Sequence, residues 1–209
     1  MTPLSSGYQD LDARIAAHGR TSVWIGDQVH LRTYEPQDAD LLPLHPHSAD
    51  QRSAWMIMPP KSKVATRATF QEAAERQPGP DTVEFSLVIA RCEDNLMVGG
   101  CNISEADRTN GTFSHGVGLL PEHKGNGFAA EAVVLLLRFM FDERRFQKCE
   151  AHVNDYNTAS LSLHRKLGFT EEGRLRRHLF MAGEYRDEYI FGMTAEEFHQ
   201  LYPKLKPGL

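Results

Sequence analysis

From residue 83 onward, polar and apolar positions alternate. Val83, Phe85, Leu87 and Ile89 are interleaved with Glu84, Ser86 and Val88, the two-residue period of a half-buried strand. RCEDN turns the chain at Arg91–Asn95, LMVGGCNIS returns it, EADRTNG turns it again, and Phe113–Leu120 forms a further strand closed by Pro121. The period then lengthens. AVVLLLRFMF, starting at Ala132, predicts an apolar helix, and Cys149–Val153 a short strand. Thr158–Leu167 predicts a helix with Ala159, Leu163 and Leu167 on one face, closed by a left-handed Gly168. LFMAGEYRDEYIFGM reads as two strands hinged at Ala182-Gly183.

The first third of the chain is less regular. Val23–Leu31 reads as a hairpin turning at Gly26-Asp27. Asp38 and Asp40 lie near the start of a short helical stretch that Pro43 and Pro46 cut short, and Asp50–Pro60 has no clear period. Thr69–Gln77 predicts a helix ended by Pro78-Gly79-Pro80. Strands, then strand–helix–strand–helix, then a closing hairpin describe a mixed α/β domain around one sheet. It spans residues 23–198, after an extension over 1–22 and before a tail over 199–209.

Composition narrows the function without choosing it. A net charge of −5 argues against a nucleic-acid coat and a polybasic membrane anchor. Cys92, Cys101 and Cys149 are odd in number and form no CxxC pair, so a reducing cytoplasm is expected rather than a disulfide framework. The apolar run Ala132–Leu137 stops at Arg138, too short to span a bilayer, and the N-terminus lacks a signal-peptide pattern. Ten histidines, His45-Pro46-His47 among them, show no HExxH or paired Cys/His spacing, so no metal is expected.

The chemistry concentrates at EHKGNGFAAE, directly before the apolar helix. Two glycines there leave backbone N–H groups uncovered at a helix start, a site for phosphate. GNGFAA also satisfies GxGxxA, but Pro121–Lys124 separates the strand from the first glycine, where a dinucleotide-binding turn is tight. No GK[ST] closes the segment, which excludes a P-loop.

Four motifs in order carry a resemblance: Lys124-Gly125-Asn126-Gly127-Phe128-Ala129, Asn157-Thr158-Ala159-Ser160, Leu167-Gly168-Phe169 and Tyr185-Arg186-Asp187. With Val29-His30-Leu31-Arg32 and Asp38-Ala39-Asp40, they resemble the GNAT superfamily of N-acetyltransferases over roughly residues 23 to 198. The likeness is strongest to the branch that acetylates ribosomal-protein alanine and serine N-termini. Lys124 departs from the usual Gln or Arg of that motif. The resemblance implies a mixed, largely antiparallel central sheet flanked by helices, the acyl-CoA N-acyltransferase fold. It implies acetyl-CoA as cosubstrate, a primary amine as acceptor, and homodimers as a common assembly.

The same resemblance assigns roles. Acetyl-CoA enters between two splayed strands, its pyrophosphate on the turn Lys124, Gly125, Asn126, Gly127, Phe128 and Ala129. Leu119 offers main-chain hydrogen bonds to the pantetheine arm, Asn157 its amide, and Arg165 a charge for the 3′-phosphate, with Lys166 beside it. Ser160 protonates the departing thiolate. Asn157 also suits a helix N-cap, and Asn154 a turn. The general base is harder to find. A carboxylate that relatives carry two residues before the glycine matching Gly116 is Ser114 here, and another aligns with Leu179. His115 is the candidate base, with His178 and Glu105 nearby. The expected reaction is direct acetyl transfer to a protein N-terminal amine. The alternatives are a small amine (polyamine, amino sugar or aminoglycoside) and a non-catalytic CoA sensor.

Overall fold

The computed structural model describes residues 22–41, 61–76 and 78–203. The extension over residues 1–21, the stops at Pro43 and Pro46, the pair His45 and His47, the stretch Asp50–Pro60 and the tail from residue 204 lie outside the described residues.

Alternation in the first half of the chain builds an antiparallel meander of β1 (Val29–Arg32), β2 (Phe85–Arg91), β3 (Met97–Asp107) and β4 (Thr112–Leu119). The hairpin expected at Gly26-Asp27 closes through a single bridge between Ile25 and His30. After β4 the chain crosses through α2 (Phe128–Arg138) and a π turn (Phe139–Glu143) to reach β5 (Lys148–Asn154), parallel to β4. A parallel pair requires such a crossover, because a tight turn cannot reverse the chain twice. α3 (Thr158–Leu167) leads to the long hairpin of β6 (Thr170–Met181) and β7 (Glu184–Thr194), then α4 (Ala195–Leu201). The seven strands run in the order β1-β2-β3-β4-β5-β7-β6, mixed and mostly antiparallel as expected.

Two layers cover the sheet. On one face Ala132 to Leu137 of α2 are all buried, packed with Leu161 and Leu167 of α3, Phe191 and Met193 of β7, and Phe198 of α4. A helix buried all round needs no polar stripe, which is why its sequence reads as a continuous apolar run. On the other face Ala39 of the 3₁₀ turn Pro36–Leu41 and Phe70 of α1 (Lys63–Glu75) meet Val88, Ala90 and Met97. Arg32 donates to both carboxylate oxygens of Asp38 at 2.8 Å, pinning that turn to β1.

Three boundaries differ from the sequence expectation. α1 begins at Lys63, where the Ser62 hydroxyl accepts from Ala65 N, and not at Thr69. Its one buried residue, Phe70, leaves no periodic stripe to read. β3 continues past Ser104 through a bulge with Glu105 at φ 51°, moving the turn to residues 108–111. β6 starts at Thr170 rather than Leu179, because it is an edge strand exposed along most of its length and carries charges instead of alternation. Farther on, Tyr202 is buried and its hydroxyl donates to Leu167 O, so the core reaches into the stretch read as a tail.

Candidate active site

β4 and β5 pair through Thr112↔Lys148, Phe113↔Cys149 and Ser114↔Glu150, and then part. Each keeps its outer partner: β4 stays bonded to β3 as far as Gly99↔Leu119, and β5 to β7 as far as Asn154↔Glu188. The inner edges of Gly116–Leu119 and His152–Asn154 therefore have no strand between them among the described residues. Such edges hydrogen-bond an extended chain entering the gap, and Leu119 stands at its wide end.

The glycine turn sits at that end. Gly125 and Gly127 have φ of 84° and 85°, a left-handed conformation that other residues adopt only with strain. Gly127 is the N-cap of α2 and has no side chain to cap it, so the first-turn amides stay open to a ligand. A Cβ on Gly125 would meet nothing within 4 Å, so conformation and not crowding demands glycine there. Lys124 and Asn126 are exposed, Ala129 is half-buried, and Phe128 is buried in the core, which leaves its backbone amide for a ligand. A thin gap ending at uncapped amides fits a diphosphate carrying a long arm.

On the helix side of the gap, Asn157 is the N-cap of α3, its side-chain oxygen accepting from Ser160 N at 3.1 Å. One turn later His164 Nδ1 lies 2.8 Å from Ser160 O and 3.3 Å from Ser160 Oγ. A carbonyl only accepts, so His164 Nδ1 carries the proton and its Nε2 accepts from His115 Nε2, 3.2 Å away. Ser160 and His115, picked out separately in the sequence, are thus joined through His164, which was not. His115 Nδ1 is left buried without a hydrogen-bond partner among the described residues. Burial and the neighbouring His164 push the His115 pKa down to about 3, and burial also lowers that of His164. Arg165 donates to Glu171 at 3.1 Å, so a phosphate there would compete with a carboxylate.

Comparison with known proteins decides the family. The acetyltransferase (GNAT) domain model matches residues 28–170, which contain both the gap and the glycine turn. The chain is a GNAT acetyltransferase. It is 34% identical over 178 residues to the uncharacterized SPbeta prophage-derived N-acetyltransferase YokL of Bacillus subtilis, covering 84% of this chain and 94% of that one. It is 29% identical over 107 residues to a spermidine N(1)-acetyltransferase of Vibrio cholerae, covering 51% of this chain and 61% of that one. Among solved structures, the spermidine N-acetyltransferase of Vibrio cholerae with CoA and spermine superposes with a TM-score of 0.67 at 22% identity, over 83% of this chain and 99% of that one. At that identity the superposition speaks for the fold. The enzyme uses acetyl-CoA as acetyl donor for an amine. Among the described residues no helix is long and apolar enough to cross a membrane, and no group of three His, Cys, Asp or Glu could hold a metal.

Two further features of the acetyltransferase escaped the sequence. Glu131, in the first turn of α2, is fully buried. Its carboxylate accepts from the backbone of Gln28 at 3.1 and 3.2 Å, and from Asp27 N as well. The Gly26–Gln28 turn is thereby clamped onto the helix start that carries the glycine turn. A Cβ on Gly26 would collide with the Glu131 carboxylate, so the glycine read as a hairpin turn also admits this clamp. Burial raises the Glu131 pKa, and the backbone donors oppose that rise. Glu131→Ala leaves those donors buried and opens a cavity, a loss of about 3–5 kcal/mol. Thermal unfolding should show it as a clear drop in Tm, and an unchanged Tm would mean that the clamp contributes nothing.

The second feature is the open face of the sheet. Cys149, Ala151 and Val153 point into the core, so Lys148, Glu150, His152 and Asn154 point the other way. His152 Nδ1 lies 3.0 Å from Glu188 Oε2, and His178 Nε2 lies 3.6 Å from the same oxygen. Glu105 accepts from the Ser114 hydroxyl at 2.8 Å, so the β3 bulge brings a carboxylate onto this face. Glu172 pairs with Lys148 at 2.8 Å. No fixed sequence spacing marks these pairs, which only the strand register brings together.

Proposed function

We propose that this acetyltransferase transfers acetyl directly from acetyl-CoA to a small polycationic amine. The observation that carries the reading is the run of carboxylates on the open face beside the gap, Glu105, Glu150, Glu172 and Glu188, of which Glu150 and Glu172 share the single ammonium of Lys148. A chain of ammonium groups gains from several such partners at once, whereas a peptide N-terminus offers one charge. The spermidine acetyltransferases among its relatives support the same class. The protein N-terminus, first choice from the sequence, has no such support on this face.

Acetyl-CoA supplies the activated thioester. The backbone of Lys124 to Ala129 would hold its pyrophosphate at the positive end of α2, and Leu119 would bond the arm as an added strand. Asn157 would keep its capping bond while its amide faces the arm. Arg165 would reach the 3′-phosphate by releasing Glu171. The Ser160 hydroxyl would protonate the thiolate, its proton position set by the His164 contact.

Thiol release from acetyl-CoA, measured over spermidine, spermine, an aminoglycoside, an amino sugar and a peptide with a free N-terminal alanine, tests this. Spermidine or spermine should give a kcat/KM at least tenfold above the peptide, with an amine KM that rises with added salt. Preference for the peptide would overturn the small-amine reading. Acetyl-CoA binding without turnover of any amine would mark a sensor.

A further inference from the structure

Resting on the amine-acetylation reading, we propose that His152 is the base that deprotonates the acceptor amine, with Glu188 as its positioning residue. The strands part after Ser114↔Glu150, and His152 lies two residues farther along β5, about 7 Å on. Ser160 and the His164–His115 pair lie on the helix side of the sheet, while His152 stands on the opposite, open face. An amine attacking a thioester held in the gap comes from the open face, because α2 and α3 fill the other.

The hydrogen bond sets the tautomer. An ionised carboxylate only accepts, so the Glu188 contact places the proton on His152 Nδ1 and leaves the Nε2 lone pair free. No hydrogen bond to His152 Nε2 is made by the described residues, and the side chain is 38% exposed where Glu188 is 12% exposed. A partly open imidazole backed by a largely buried carboxylate is the base-and-orienter arrangement of acid–base catalysis.

The rival groups are each buried, bonded or left unoriented. His115 is buried among aromatic rings, and with a pKa of about 3 it holds a proton from an alkylammonium poorly. Glu105 is bonded by Ser114, and Glu150 lies 3.7 Å from Lys148. His178 is beyond hydrogen-bond distance of Glu188, so nothing fixes its tautomer through that oxygen.

The acceptor arrives as R–NH3⁺. His152 Nε2 takes one proton, and the freed lone pair forms the C–N bond while the C–S bond breaks and sulfur leaves with its electron pair. Sulfur gains a proton from the Ser160 hydroxyl, which is restored by the second proton lost from nitrogen. His152 returns its proton to solvent. The sum is R–NH3⁺ plus acetyl-CoA giving the N-acetyl amine, CoA thiol and one proton.

The test is steady-state kinetics with spermidine on the full chain. His152→Ala should lower kcat by about 100-fold, leave the acetyl-CoA KM within twofold, and regain activity with added imidazole. Glu188→Ala should lower kcat about tenfold with the acetyl-CoA KM unchanged, and His178→Ala should lower it less than threefold. If His152→Ala keeps kcat within threefold of the parent, or His178→Ala takes the loss instead, this inference falls while the acetylation reading stands. A parent enzyme that binds acetyl-CoA yet acetylates no amine overturns both.

Discussion

Gly127→Val should raise the KM for acetyl-CoA at least tenfold while kcat at saturation stays within threefold. Gly127 holds φ at 85° as the N-cap of α2, a conformation in which a β-branched residue is strained. Left-handed backbone costs a non-glycine residue roughly 1–2 kcal/mol, and about 1.4 kcal/mol is tenfold in binding. The valine escapes that strain in the free enzyme by turning the first-turn amides away from the diphosphate, and binding must restore it, which weakens affinity. Gly183→Val is the control. Gly183 has the same φ of 85° and open space around its Cβ position, but it lies in the β6–β7 turn. It should lose stability and keep its acetyl-CoA KM. Equal KM values for Gly127→Val and its parent would remove the diphosphate from this turn.

Acidification should destabilise the enzyme through its buried histidine pair. His115 titrates near 3 in the folded state against an ordinary value of 6.5, and His164 is shifted in the same direction. Between those values the unfolded chain binds a proton that the folded chain refuses. Stability is therefore complete above pH 6.5 and declines as pH falls toward 3, at about 1.4 kcal/mol per pH unit for each such group. For His115 alone the loss at pH 5 is roughly 2 kcal/mol, a large share of a typical domain's 5–15 kcal/mol. His115→Gln keeps a donor for His164 Nε2 but does not titrate. Urea unfolding at pH 7 and pH 5 should show the variant losing about 2 kcal/mol less than its parent over that interval. Identical losses would show that His115 takes up its proton in the folded state.

The sequence carried what is local. Alternation from Val83 onward marked β2 and returned through β3 and β4, because the pleat repeats every two residues and exposes Ser86 between Phe85 and Leu87. Gly168 marked a left-handed position and Asn157 the cap of α3, since each reports the conformation of its own backbone, while the left-handed φ of Gly125 and Gly127 came from the structure. Where an element hides no regular stripe, as in α1 and the exposed β6, its start was misplaced by six and nine residues.

What the sequence did not carry is contact between distant segments. His115 meets His164 across 49 positions, His152 meets Glu188 across 36, and Asp27 meets Glu131 across 104. No periodicity encodes such pairs. The His152–Glu188 pair arises when β5 and β7 pair in a register that sets Asn154 opposite Glu188, and the other two when α2 and α3 pack onto the sheet. Local chain chemistry determined the glycine turn and the strands that frame the gap. Sheet register and helix packing, properties of many segments at once, decided which polar groups meet beside it.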